Sequence, residues 1–146
     1  ALFFFNKAYS IVNLCVRKWA MEMPKPSTQQ LGQLAEQHAC LYLQAQGLSL
    51  ISQNFYSKYG EIDLVMLDKQ QTLVFVEVRY RSSNRFGGAV ASVTLSKQRK
   101  IIAAARYFLY CYPQYASFNI RFDVVAIDKQ RINNITWLPA AFLVDD

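Results

Sequence analysis

The sequence predicts an α/β domain with a β-sheet covered by helices on both faces, in the order αβββαββ. Three observations carry this reading. Apolar residues recur at helical spacing around 27–46 and 93–110, and β-branched and aromatic runs fill the stretches between and after them. The runs around residues 61–67 and 73–80 are apolar on both faces over much of their length, and such strands need cover on both sides. At 146 residues, 53% of them hydrophobic, the chain has the length and apolar content of a single core-forming domain.

Residues 1–26 read as an apolar N-terminal extension, and residues 27–146 as the domain. Leu2-Phe3-Phe4-Phe5 and Ile11-Val12-Asn13-Leu14-Cys15-Val16 are strongly apolar, but Lys7, Arg17 and Lys18 interrupt them, and the span is short for a membrane crossing. No stable membrane insertion is expected. An amphipathic helix lying on the domain or on a membrane surface is one reading of this stretch. The weight falls on an upstream extension, with a functional start at Met21 or Met23 and a boundary at Pro24 and Pro26. Three cysteines, Cys15, Cys40 and Cys111, have neither metal-ligand spacing nor disulfide density, which points to the cytoplasm.

Ser27 or Thr28 is placed to cap the first helix, and Gly47 to stop it after Gln46. Leu31, Leu34, His38, Leu41 or Tyr42, and Ala45 form its expected inner stripe. His38, the single histidine, is thereby assigned to packing and does not supply a zinc site. Glu36 lies off this stripe, level with Cys40 and Leu43, and by itself reads as a solvated helix charge.

A strand from Leu48 to Tyr56 leads into a turn at Tyr59-Gly60. Next comes a hairpin of Glu61 to Leu67 and Leu73 to Arg79, joined by Asp68-Lys69-Gln70-Gln71 without an Asn-Gly signal. Centring the turn on Gln70 pairs residues whose numbers sum to about 140. Val65 then faces Phe75, Asp63 faces Glu77, and Glu61 faces Arg79. Alternation puts Ile62, Leu64 and Met66 with Val74, Val76, Val78 and Tyr80 on the opposite, apolar face. Two carboxylates about 5 Å apart repel by about 3 kcal/mol at an effective dielectric of about 20. Either a hard divalent cation, Mg²⁺ or Mn²⁺, or a basic side chain such as Arg79 must compensate them.

The second helix is expected from Val93 to Tyr110, with Leu95, Ile102, Ala105 and Leu109 inward and Lys97 and Lys100 toward solvent. Ile120 to Ile127 and Asn134 to Leu138 complete the strands. Net charge is +6, and no Asp or Glu occurs between Val78 and Phe122. Arg79, Arg81, Arg85, Lys97, Arg99, Lys100, Arg106 and Arg121 fall in that span, half of the 16 Lys and Arg residues. Such a footprint suits a polyanion. Arg85-Phe86-Gly87-Gly88 reads as a loop able to follow a phosphate chain, and no Gly-rich nucleotide loop is present.

Several ordered motifs resemble the YraN family of uncharacterised bacterial proteins. They are Gly32-x-x-x-Glu36, Gly60-Glu61-Ile62-Asp63-Leu64, Val74-Phe75-Val76-Glu77-Val78-Arg79-Tyr80-Arg81, Phe86-Gly87, Lys97 and Arg121-Phe122-Asp123-Val124-Val125. The family is assigned to the PD-(D/E)xK nuclease superfamily, near archaeal Holliday-junction resolvases. The resemblance covers residues 27 to 143 and implies a restriction-endonuclease-like fold, three layers α/β/α around a central mixed sheet.

The resemblance also implies a metal site. Asp63 and Glu77 would be the principal Mg²⁺ or Mn²⁺ ligands, joined by the Val78 carbonyl and by Glu36 from the first helix. Arg79 stands where the superfamily usually has Lys. Arginine stays protonated and serves a phosphate better than it serves as a base, so part of the lysine's role is expected of Lys97. Arg79, Arg81, Arg85, Lys97 and Lys100 are the expected nucleic-acid contacts. Asp123, beside Arg121, is expected in a structural ion pair.

Two functions follow. One is a metal-dependent endonuclease acting on DNA, with branched or Holliday-junction structures as substrates and a homodimer as the analogous assembly. The other is a nucleic-acid-binding module on the same fold without effective catalysis.

Overall fold

In the computed structural model, which describes residues 24–81 and 93–144, Ser27 caps the first helix. Its hydroxyl accepts from the Gln30 amide at 3.1 Å while its own amide donates to Gln30 Oε1 at 2.8 Å, a reciprocal capping box. Helix α1 runs Thr28–Ala45. Its end is closed by a Schellman arrangement, in which Leu48 N donates to Leu43 O at 3.1 Å and Gly47 N to Gln44 O at 3.0 Å. Gly47 takes φ +98°, which a side chain rarely tolerates.

The elements that follow are β1 (Ser49–Ser57), β2 (Gly60–Leu67), β3 (Thr72–Arg81), helix α2 (Leu95–Cys111), a 3₁₀ turn (Pro113–Tyr115), β4 (Asn119–Asp128) and β5 (Ile135–Phe142). The described residues form a five-stranded sheet in the order β1-β2-β3-β4-β5. Strands β3 and β4, joined through α2, are parallel, and the other neighbours are antiparallel, so the sheet is mixed as expected. The sheet and every residue discussed below belong to the compact unit Gly32–Asp146.

The β2–β3 hairpin has the expected register, Val65 opposite Phe75 and Leu67 opposite Leu73. It needs no Asn-Gly turn because Asp68 builds one. Its Oδ1 accepts from the amides of Gln70 at 2.9 Å and Thr72 at 2.8 Å, and Gln71 adopts φ +60°.

The two faces of the sheet bury separate cores. Ala35, Ala39, Cys40 and Leu43 of α1 pack with Leu64, Met66, Val74, Val76, Val125 and Ile127. On the other side, Ile101, Ala104, Ala105 and Phe108 of α2 pack with Val65, Leu73, Phe75, Phe122 and Val124. Phe108 anchors this layer, with the rings of Phe55 and Phe75 edge-on at 5.1 and 5.8 Å. Truncating such a residue costs about 3–5 kcal/mol.

Both helices are rotated from their expected phase. Leu34 and Leu41 are exposed at 50% and 66%, and Leu95 at 64%, whereas half of the buried helix positions are alanines; of the expected α2 stripe, Ala105 is buried and Ile102 and Leu109 pack at the margin of the core. Small residues let a helix lie close on the sheet, so the expected stripes, drawn through the largest side chains, were displaced by about one position. A second correction concerns Ile62. It packs in the α2 layer with Val65, not with Leu64 and Met66 across the sheet, so strict alternation fails at Asp63.

Cys40 is buried and Cys111 exposed, and both are free thiols. No helix among the described residues is long and apolar enough to cross a membrane. Residues 1–23, which contain most of the expected extension, lie outside the described residues, as does the 82–92 segment with Arg85, Phe86 and Gly87.

Candidate functional site

The hairpin ladder stops at Leu64 opposite Val76. One step further on, Asp63 and Glu77 do not pair as strand neighbours, and the expected facing of Glu61 with Arg79 does not form either. The side chain of Asp63 takes over where the ladder ends, its Oδ2 accepting from the Val78 amide at 2.7 Å. On the opposite side β2 remains paired with β1, where Phe55 faces Ile62 and Tyr56 faces Glu61. Between the paired positions of β1, Asn54 adopts φ +52°, a conformation asparagine tolerates better than most residues. Here the two strands part, and here alternation breaks.

Asp63 and Glu77 are buried at this opening, 8% and 4% exposed. Burial above all, and then the charge of Glu77, pushes the Asp63 pKa well above the usual aspartate value. The Val78 hydrogen bond and the Lys97 charge oppose that shift. Glu77 is compensated on one oxygen only. Arg79 Nη1 lies 3.3 Å and Lys97 Nζ 3.4 Å from its Oε1. Among the described residues, its Oε2 is buried with no hydrogen-bond partner. An unpaired buried carboxylate oxygen forfeits hydration without return, so it calls for a counter-ion.

Lys97 reaches this position because of its cap. Thr94 Oγ1 accepts from the Lys97 amide at 3.2 Å, which fixes the first turn of α2 from which the Lys97 side chain reaches Glu77. This corrects the expectation that Lys97 faces solvent. Lys100, Arg81 and Arg99 are exposed.

Glu36 lies next to Ala35 and Ala39, on the inner half of α1, and not on the solvated side where the displaced stripe had put it. Its pKa is raised by burial first, with the charges of Glu61 and Glu77 adding to the shift and a hydrogen bond with Asn54 opposing it. Tyr56, on the exposed side, has its pKa raised chiefly by the charge of Glu61. Glu36, Asn54, Tyr56 and Glu61 thus form an acidic rim beside Asp63 and Glu77. Sequence reasoning named Glu36 but not the other three as site residues. The available signal was Asn54, a residue suited to positive φ placed before an acidic strand.

Among the described residues, no group of three or more His, Cys, Asp and Glu side chains is arranged to hold a metal ion. Glu36 acts on the acid pair through its field. What the site offers is two buried carboxylates, a carboxylate oxygen lacking a partner, and no nitrogen or sulfur donor in the pair. That set does not suit a transition-metal cage. It does fit a hard cation such as Mg²⁺, which takes one or two carboxylates and completes its shell with water and substrate oxygens.

Asp123 belongs to a different part of the sheet and is structural, as expected. Fully buried, it accepts from Arg121 Nε at 2.8 Å and Nη2 at 3.0 Å, from Trp137 Nε1 at 3.0 Å and from the Ala140 amide at 3.0 Å. Arg121 also reaches Asp68 Oδ2 at 3.4 Å, tying β4 to the hairpin turn.

Comparison with known proteins gives a consistent result. The model of the uncharacterised protein family UPF0102 matches residues 35–127. A UPF0102 protein of Pseudomonas savastanoi pv. phaseolicola is 50% identical over 122 residues, covering 82% of this chain and 98% of its own length. One from Ralstonia pickettii is 51% identical over 128 residues, 86% of this chain and 99% of its own length. A third, from Legionella pneumophila, is 49% identical over 115 residues, 79% and 96% of the two chains.

Proposed function

We propose that this chain, which belongs to the uncharacterised protein family UPF0102, is a divalent-metal-dependent endonuclease that hydrolyses DNA phosphodiester bonds, with branched and junction DNA as its substrate class. The observation that carries the reading is the Glu77 carboxylate at the splayed end of the hairpin. Its Oε1 lies near two cationic side chains, while its buried Oε2 has no hydrogen-bond partner among the described residues.

Asp63, Glu77 and the Val78 carbonyl would hold Mg²⁺ or Mn²⁺, with Glu36 adding negative charge from α1. When bound, such a cation lowers the pKa of water and offsets the charge that develops on a phosphate. The chain's own residues do the remainder. The Val78 amide fixes the orientation of the Asp63 carboxylate, and burial of the pair excludes bulk water. Lys97 and Arg79 hold positive charge against Glu77, where it can also meet phosphate oxygens, Arg79 in a bidentate manner. Arg81 and Lys100, both exposed, extend the positive surface along the phosphate chain.

One feature favours the second reading, a binding module without catalysis. The superfamily's usual lysine is Arg79 here, and a guanidinium does not take a proton from water. Incubating purified protein with Mg²⁺ or Mn²⁺ and with linear, flapped and four-way DNA decides between them. The nuclease reading predicts metal-dependent cleavage that Glu77→Ala abolishes. Binding with no cleavage of any of these substrates leaves the binding module alone.

A further inference from the structure

The β1–β2 turn and one face of α2 carry exposed aromatic rings that the proposed chemistry does not use. Tyr59, Tyr107 and Tyr110 are 44%, 36% and 82% exposed. They form a continuous row, with ring centroids 5.6 Å apart between Tyr59 and Tyr107 and 6.3 Å apart between Tyr107 and Tyr110, the latter pair within 22° of parallel. The row rests on the core, since Phe55 lies 6.2 Å from Tyr107 and 5.1 Å from Phe108. Its position is fixed as well. A side chain at Gly60 would stand 3.1 Å from the Lys100 carbonyl oxygen, so the glycine allows the turn to lie directly on α2.

The surroundings of the row are basic. Lys58 Nζ stands 5.1 Å from the Tyr59 ring centroid, and Arg99, Lys100 and Arg106 are exposed on α2. No acidic residue occurs in α2 or between Ser49 and Gly60. Tyr59, where the row begins, is four residues before Asp63, so the row starts about 13 Å from the acid pair at the usual strand rise. That separation is about four base rises along one strand.

We propose that Tyr59, Tyr107 and Tyr110 form a stacking platform for unpaired bases of a single-stranded or branched nucleic acid, with Lys58, Arg99, Lys100 and Arg106 along its phosphates. The proposal rests on the nucleic-acid reading above and specifies which form of the polymer is held. Ring faces distinguish the forms. Bases within a duplex present only their edges, whereas an unpaired base offers a face to an aromatic ring. Tyr110, the most exposed of the three, is the outermost ring of the row.

The test is binding in metal-free buffer, measured by fluorescence anisotropy with labelled oligothymidylate and with a labelled blunt duplex. Tyr59→Ala and Tyr110→Ala should each weaken oligothymidylate binding on the order of tenfold, as loss of one stacked base predicts, while duplex affinity stays unchanged. Tyr110→Phe should retain wild-type affinity, and Tyr110→Leu should behave like alanine, which separates stacking from hydroxyl contacts and from apolar area. Equal losses on both probes, or no loss on either, overturn the proposal. So does a change in sedimentation from dimer to monomer without any change in affinity, which would assign the rings to contact between copies. Wild-type cleavage of DNA together with unaltered binding by the tyrosine variants removes the platform and leaves the nuclease reading. Selective loss of single-strand binding in a protein that cuts nothing leaves the platform and removes the nuclease.

Discussion

Lys97 Nζ lies 3.4 Å from Glu77 Oε1, an ion pair between the first turn of α2 and the strand that carries the site. Arg79 reaches the same oxygen at 3.3 Å. Two positive groups thus converge on one side of a buried carboxylate and leave its second oxygen for another ligand. On the proposed function, the same two donors also stand where a phosphate held through a cation at Glu77 would need them.

Lys97→Met tests this arrangement. Because the Lys97 side chain is about one-third exposed, solvent screening keeps its contribution to stability small, about 1 kcal/mol or less. The urea midpoint should therefore move little. Cleavage should fall at least tenfold if the ammonium serves the phosphate. A large loss of stability with unchanged cleavage would make Lys97 a structural partner only.

Asp63 gives the protein a pH signature in metal-free buffer. Its folded-state pKa is raised, chiefly by burial and then by Glu77. The folded protein therefore binds the proton more tightly than the unfolded chain. The resulting stability is present below the ordinary aspartate pKa and is lost as pH rises through the elevated folded value. Asp63→Asn should flatten this part of the stability–pH curve. Mg²⁺ or Mn²⁺ should raise the melting temperature of the wild type, more so at higher pH, and raise that of Asp63→Asn much less. Equal metal shifts in both proteins would place the cation elsewhere.

Asp123 makes the opposite prediction. It accepts four hydrogen bonds in a fully buried position, two of them from Arg121. Asp123→Ala leaves the guanidinium and the Trp137 indole without their acceptor, which costs about 3–5 kcal/mol. Chemical denaturation should show that loss, while the metal-induced rise in melting temperature persists in whatever fraction remains folded. Loss of the metal response at intact stability would bring Asp123 into the site.

Local patterns made the hairpin and its register from Leu64 opposite Val76 to Leu67 opposite Leu73 legible in the sequence, but not the facing of Asp63 with Glu77 or of Glu61 with Arg79. Alternation around Val65 and Phe75 needs no knowledge of the rest of the chain. Glu36 and Lys97 were assigned to the site through the family resemblance, while helical phase alone put them toward solvent, for a shared reason. Helical phase was drawn through Leu34, Leu41 and Leu95, yet the sheet is approached by Ala35, Ala39, Ala104 and Ala105, whose small side chains permit close packing and give a weak apolar signal. The parting of β2 from β3 was not legible either. It depends on Asp63 capturing the Val78 amide and on Asn54 in the neighbouring strand, a three-strand relationship that pairwise alternation does not contain.

Substitutions at Glu77 and Arg79 separate catalysis from binding. Glu77→Ala removes a proposed cation ligand but none of the exposed basic residues, so affinity for DNA in metal-free buffer should be retained or rise slightly as a negative charge is lost. Cleavage should disappear. Arg79→Lys is the more searching change, because the two residues share a charge but not a geometry. If position 79 acts through charge alone, lysine should preserve or increase cleavage. If Arg79 grips a phosphate through two parallel hydrogen bonds, lysine should lower cleavage by about one to two orders of magnitude, in keeping with the loss of one charge-assisted bond. Single-turnover rates on four-way DNA, with Glu77→Ala as the blank, measure both effects. Inactivity of the wild type and of Arg79→Lys on every DNA form with either metal, alongside undiminished binding, would mean that the fold has been kept for its grip on nucleic acid.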